Sequence, residues 1–339
     1  MNNKILIIGP NHPRKCGIAT HVNQEYLNFV NQGNFVKILS SKDCNSHFKE
    51  NTKGFFNPLK ILKYYKDFDT IYLHFSPEQY FYTYYNPLRL FNLLPLLSFY
   101  IIFKKCENLI FVVHELPLNK YFFQKLFIHK YIWQRVTKIL FFTYNEKINF
   151  QNKFQILFKE NQYLIENVNK NFIKYCKLNQ DDAMIKLNLP KNKKILLAIG
   201  FINFSKGFDR IVSIFNSKKF QNSILYIVGE ARCTNNFEKN YFESLKLLCH
   251  DNVNIILINE FLTDEKFDIW TIASDFLVFP YRANSNSGVL GRAKLYCKNV
   301  IVSDIGGLCN QIEKTDILFK NDNELENILK NIDKQIIMR

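Results

Sequence analysis

Ser285, Ser287 and Gly288 stand directly ahead of the apolar pair Val289 and Leu290, in a stretch that reads FLVFPYRANSNSGVLGRAKLYCKNVIVSDIGG. A serine at a helix N-cap offers its side-chain oxygen to the first free N–H groups, and a glycine lets the backbone come close to a ligand. The helix dipole turns its positive end to the same place, so the chemistry on offer is anion binding, a phosphate above all. Other polar and basic groups recur directly after runs of branched and aromatic residues. They are Asn11 to Gly17 with His21 beyond, His74 and Ser76, His114 and Glu115, then Asn203, Ser205, Lys206 and Gly207. Gly229 and Glu230, Asn259 to Phe261, and Tyr281 to Gly288 complete the series.

The runs that precede these groups read as strands buried on both faces. KILIIG (4–9), a loop, a helix of about 15 residues carried by Ile18, Val22, Leu27 and Val30, and FVKILSS (35–41) make a β-loop-α-β opening. TIYLHF (70–75), NLIFVVH (108–114) and KILFFT (138–143) continue it. The polar, Asn- and Lys-rich stretch 145–190 holds a short strand (163–168) and then a connection ending at Pro190. A second series follows: KKILLAIG (193–200), a helix from Gly207 to about Phe215, SILYIVG (223–229), a helix over 236–249, NVNIIL (252–257), a short helix near 263–273, and the serine-rich stretch. The pattern predicts two doubly wound α/β halves, residues 1–172 and 173–339, with a ligand cleft where strand ends meet.

At 339 residues the chain suits two domains. Its net charge of +15 favours an anionic partner, whether nucleic acid, a lipid surface or a phosphorylated small molecule. Eight scattered cysteines without a C-x-x-C pair argue against zinc ribbons and secreted disulfide frameworks, and for a reducing cytoplasm. The segment 88–103 is the most membrane-like, but Arg89, Asn92 and Pro95 interrupt it and it is too short to span a bilayer. It reads either as a buried helix or as a helix lying on an anionic bilayer surface, helped by YFYTYY before it and Lys104 and Lys105 after it.

Residues 196–210, LLAIGFINFSKGFDR, resemble the G-x-x-x-x-x-K-G element of the retaining family-4 glycosyltransferases of GT-B fold. ILYIVG (224–229) and 274–307 are similar to the same family's C-terminal half, in order and spacing. The N-terminal half matches through its strand-loop-helix opening and FVVHE at 111–115. The resemblance implies two Rossmann-like domains facing across a cleft, and a nucleotide-sugar donor, UDP- or GDP-linked, with no other cofactor. The family commonly carries two glutamates eight positions apart, where this chain has Asn284 and Arg292. Asn286-Ser287-Gly288-Val289 is closest to the subset with a Q-S-G-V-like loop, which lacks the first glutamate.

Breaking a sugar–phosphate bond puts negative charge on the departing diphosphate, so fixed positive groups there lower the barrier most. The resemblance gives that place to Lys206, with Asn203 beside it, to the N–H groups of Gly288, Val289 and Leu290, and to the Ser287 hydroxyl. It has Gly17 let the N-terminal loop close over the diphosphate, His114 bond the transferring sugar or the acceptor hydroxyl, Glu230 and Arg292 contact the donor, and Phe261 pack on the base. Asp67 and Asp69 have D-x-D spacing but precede a strand at its amino end, so they read as a solvated turn, and no metal is expected. The expected protein is a cytoplasmic, metal-independent hexosyltransferase of surface polysaccharide or glycoconjugate synthesis, peripheral at the inner face of the membrane. Its acceptor is a glycan or a lipid-linked acceptor, and no nucleic-acid motif is present. Two rival readings are a catalytically weak GT-B partner subunit or membrane-binding module, and a GT-B nucleotide-sugar epimerase.

Overall fold

The computed structural model describes residues 2–82, 86–116, 126–283 and 286–335. Asn284 and Ser285 lie outside them, as do residues 83–85 of the aromatic run. The chain forms two compact units, Met1–Ile173 and Lys174–Arg339.

The first unit carries β1 (Lys4–Ile8), α1 (Gly17–Asn31), β2 (Phe35–Ser40), β3 (Phe48–Lys49), β4 (Thr70–Phe75), α2 (Pro77–Tyr80), α3 (Leu93–Lys105), β5 (Leu109–Val113), α4 (Leu126–Trp133), β6 (Lys138–Phe141), α5 (Tyr144–Phe154) and β7 (Tyr163–Ile165). Its strands pair in parallel in the order β3-β2-β1-β4-β5-β6-β7. The second unit carries α6 (Gln180–Lys186), β8 (Lys194–Ile199), α7 (Phe208–Ser217), β9 (Ser223–Gly229), α8 (Asn236–His250), β10 (Ile255–Asn259), α9 (Asp264–Ala273), β11 (Phe276–Phe279), α10 (Gly288–Leu295), β12 (Asn299–Ser303), β13 (Ile317–Phe319) and α11 (Asp322–Lys334). Its parallel order is β10-β9-β8-β11-β12-β13. Each sheet reverses its winding beside its first strand, at β1/β4 and β8/β11, and such switch points open a crevice at the carboxyl ends.

All six residues of β8 are buried, as a strand covered by helices on both faces requires. Aromatic rings fill the first core, where Phe75, Phe99 and Phe111 surround the buried Trp133. α3 settles the segment 88–103 by halves. Leu96, Phe99, Ile102 and Phe103 enter the core, while Leu88, Leu90, Phe91, Leu93 and Leu97 remain exposed. The start of the polar stretch 145–190, to which no element was assigned, is helix α5. Thr143 caps it by accepting the Glu146 N–H while the Glu146 carboxylate returns to the Thr143 N–H, a reciprocal box that fixes the first turn. Asp69 accepts the N–H of Lys4, which ties the D-x-D turn to the amino end of the first sheet.

Candidate functional site: strand ends of the second unit

Gly200 follows the end of β8, and one tight turn (Phe204–Lys206) then leads into α7. Asn203 shapes that turn by accepting the N–H of Lys206 (3.2 Å) and the hydroxyl of Ser205 (2.7 Å). Its side-chain oxygen is therefore spent within the loop, so Asn203 aims Lys206 rather than meeting a donor with that atom. Gly207 follows at φ +63°, and a Cβ there would collide with the carbonyl oxygen of Pro280. Only glycine satisfies both demands. Lys206 lies with Nζ 3.7 Å from the centroid of the buried Tyr281 ring, an attraction between cation and ring face that fixes the ammonium's side of the loop.

The loop after β11 is bound to the loop after β8 by backbone and charge. Arg282 donates its N–H to the Ser205 carbonyl (2.8 Å) and grips the Asp209 carboxylate with two nitrogens at 2.7 and 2.6 Å. Burial pushes the Asp209 carboxyl up, but Arg282 and the Tyr241 hydroxyl outweigh it and hold the carboxyl below its ordinary range. Arg210 reaches the carbonyls of Pro280 and Tyr281, and Ser303 donates to the latter.

α10 begins in the same place. Ser287 is its N-cap and accepts the N–H of Leu290 (3.2 Å). The Gln311 amide clasps the Ser287 backbone, accepting its N–H (2.7 Å) and donating to its carbonyl (3.1 Å). The Leu290 N–H expected to face a phosphate is thus already used, as is the Ser287 hydroxyl oxygen that takes it. Among the described residues, no acceptor meets the N–H groups of Gly288 and Val289. Val289 lies against Gly200, where a Cβ would stand 3.2 Å from its side chain, so the first turn of α10 abuts the end of β8.

Arg292, expected to contact the donor, lies inside the unit. It is 5% exposed and binds Asp264 (2.7 Å) and Asp268, two carboxylates on one face of α9. Burial disfavours its charge, yet Asp268 and Asp264 outweigh burial and raise its pKa. Asp268 also accepts the Tyr296 hydroxyl and the N–H of Tyr175. The guanidinium is the centre of an internal network.

Glu230 and Phe261 remain at the ends of β9 and β10, both partly exposed. Phe261 pairs with Phe201 at 6.3 Å, and Arg232 covers the Phe201 ring at 3.6 Å. Sequence reading placed Tyr281 and Arg282 at this strand end without their partners, and it missed Arg232 and Gln311, since each acts through residues far from it in the chain. Gly17 opens α1 after the N-cap Cys16, and a Cβ there would meet nothing within 4 Å, so packing does not demand this glycine. His114, at the end of β5, bonds His74 through Nε2 (2.8 Å). Among the described residues, no group of three or more His, Cys, Asp or Glu is placed to hold a metal ion, and no helix is long and apolar enough to cross a membrane.

Two parallel sheets with this strand order are the GT-B arrangement of two Rossmann-like units. Residues 179–337, nearly all of the second unit, match the family model described as glycosyl transferases group 1. No curated protein matches the sequence. Among solved structures, the chain is similar to sucrose-phosphate synthase from Thermosynechococcus elongatus, at 16% identity and TM-score 0.68, covering 98% of this chain and 90% of that one. It is similar to Anabaena HepE in complex with UDP and glucose, at 15% identity, TM-score 0.69 and the same coverage. It is also similar to WaaG, a glycosyltransferase involved in lipopolysaccharide biosynthesis, at 13% identity and TM-score 0.60, covering 98% and 90%.

Proposed function

We propose that this protein is a metal-independent, retaining glycosyltransferase that moves a sugar from a UDP- or GDP-linked donor to a glycan or lipid-linked acceptor. The observation that carries the reading is the pairing of Lys206 with the open N–H groups of Gly288 and Val289, on loops locked together at one switch point. Fixed positive groups that need no rearrangement are what a departing diphosphate requires. The group 1 match across this unit and the UDP-bound state of HepE support the same assignment. Gly17, Glu230 and Phe261 complete the donor contacts, and His114 bonds the transferring sugar or the acceptor hydroxyl. Lys206→Ala is expected to lower donor hydrolysis and transfer by about 10²–10³-fold. Activity insensitive to that change would sink the assignment, and release of free sugar as the sole product in the presence of acceptors would favour the epimerase instead.

The acceptor class and a place at the inner face of the membrane draw support from the first unit and from the role of WaaG. Leu88, Leu90, Phe91, Leu93 and Leu97 are exposed in one short stretch, Leu90 to 66%. Phe55 packs on Phe91 at 5.4 Å, and the exposed Phe56 lies beside it in the chain. Lys53, Lys60 and Lys63 flank these rings in sequence. Apolar side chains edged by lysine suit an anionic bilayer surface. Each such side chain withdrawn from water is worth about 1.5–3 kcal/mol, so changing Leu90 and Phe91 together to Glu should weaken vesicle binding by tenfold or more. Equal co-sedimentation of variant and parent would remove the membrane from the proposal.

A further inference from the structure

The first unit buries a chain of polar groups that the donor site does not explain. His21 and Glu25 sit one turn apart on α1, both almost fully buried. His74, at the end of β4, is wholly buried and bonds on both sides, through Nε2 to the Glu25 carboxylate (2.7 Å) and through Nδ1 to His114 Nε2 (2.8 Å). Asn171 donates to the other Glu25 oxygen at 2.8 Å. The rings of His74 and His114 stack at 5.1 Å, and His21 stands edge-on to His114 at 5.2 Å. A side chain at Gly9 would press on His74, so the room for this ring is made by a neighbouring strand.

The hydrogen-bond geometry places the charges. A buried carboxylate without a counter-charge costs several kcal/mol, and its neighbours must supply one. Asn171 is neutral. Burial, then the charges of His74 and His21, hold His114 well below the ordinary imidazole range. Burial likewise takes His21 to about 4, and it raises Tyr72, on the same strand as His74, to about 12 with help from Glu25 and Glu166. Burial would raise Glu25, but the charge and hydrogen bond of His74, aided by His21 and Asn171, bring it below the ordinary carboxylate range. Of the neighbouring rings, His74 is the one that bonds the carboxylate directly, at 2.7 Å, so the geometry gives it the counter-charge. An imidazolium donates from both nitrogens, so His114 must accept at Nε2 and, being neutral, carries its proton on Nδ1.

We infer that Glu25 and His74 are positioning residues that lock His114 in its Nδ1–H form, so that this ring offers a ligand a hydrogen-bond donor and not a base. The fitting partner is an oxygen lone pair, such as a sugar hydroxyl or a phosphate oxygen. A ring held this way cannot take the proton of an acceptor hydroxyl. The identity of that oxygen rests on the glycosyl-transfer reading, whereas the tautomer does not.

The test is ¹⁵N–¹H multiple-bond correlation on the full-length, ¹⁵N-histidine-labelled protein near pH 7.5, assigned with single His→Gln variants. Expected are a protonated Nδ1 and bare Nε2 at His114, with both nitrogens of His74 protonated. A proton on His114 Nε2, or a neutral His74, overturns the inference. Glu25→Gln keeps the shape and removes the counter-charge, so His74 should become neutral and His114 should move its proton to Nε2. An unchanged His114 pattern in that variant also overturns it. With nucleotide-sugar, Glu25→Gln should lower transfer at least about tenfold while donor binding is kept, as is usual for groups that orient a contacting histidine. Undiminished transfer refutes the positioning role. The expected tautomers in a protein inert toward every nucleotide-sugar would uphold the lock and discard the glycosyl-transfer reading.

Discussion

His74 near the end of β4 and Tyr281 just beyond β11 occupy comparable places in the two sheets, each at the carboxyl end of the strand beside the switch point. Both are fully buried, and each touches a group that can carry positive charge. Around His74 the charge is enclosed, balanced by Glu25 and walled by Phe142 and Phe172 against His21. Around Tyr281 the cations Lys206, Arg210 and Arg282 gather at loop surfaces, anchored by backbone carbonyls and by Asp209. One strand order therefore serves two electrical designs. Topology chooses where polar groups collect, and the residues at the strand ends decide whether they face inward or wait for an anion.

Arg292→Ala should separate the two units most strongly. It strands Asp264 and Asp268 without their cation, a loss of about 3–5 kcal/mol for a buried pair. Each unit has its own buried reporter, Trp133 in the first and Trp270 in the second, so fluorescence melting of Trp→Phe variants reads them independently. Early melting at Trp270 with Trp133 unmoved is expected. If Arg292→Ala instead weakens nucleotide-sugar binding at full stability, its place as internal ligand is wrong.

Acid should reverse the order. His21 and His129 both fold with pKa near 4, lowered from 6.5 chiefly by burial, so the unfolded chain binds more protons than the folded one between those values. Stability is thus intact above about pH 6.5 and falls as pH drops toward 4, by on the order of 3 kcal/mol from His21 alone. The second unit holds just one histidine, the exposed His250. Hydrogen exchange at pH 5 should show faster opening of the first unit. Uniform loss across both would mean the buried histidines are not the cause. The smallest effect is assigned to Gly207→Ala, about 1–3 kcal/mol from a left-handed backbone, with the Pro280 collision added. It should move Trp270 melting and lower transfer, and a variant as stable as the parent would break the claim that the two loops are fitted to each other.

Much of this was readable from residue order. Continuous apolar runs gave the long strands, and the K-G and S-G positions gave Lys206 and the start of α10, because those signals are local. What escaped was of two kinds. Some local signals were covered by composition: α5 was hidden by Asn and Lys despite its T-x-x-E box. The Leu325, Ile328, Leu329 and Ile332 stripe of α11 follows an Asn321 cap that was passed over. The others lie in contacts no spacing reveals. Arg292 was singled out because it stands where relatives carry a glutamate, and its two carboxylate partners on α9 went unseen; Glu25 was unnoticed because its partner arrives 49 positions later.

The clasp of Gln311 on Ser287 has a consequence for anyone rebuilding this molecule. Residues 276–295 look like a portable cassette of strand, loop and helix, but their aim is borrowed. One end of the helix is steered by an amide 24 positions downstream, and the loop is held by Ser205 and Ser303. Transplanted alone onto another sheet, the cassette would keep its sequence and lose its direction. Loop exchange meant to alter donor choice would have to carry these three outlying residues along.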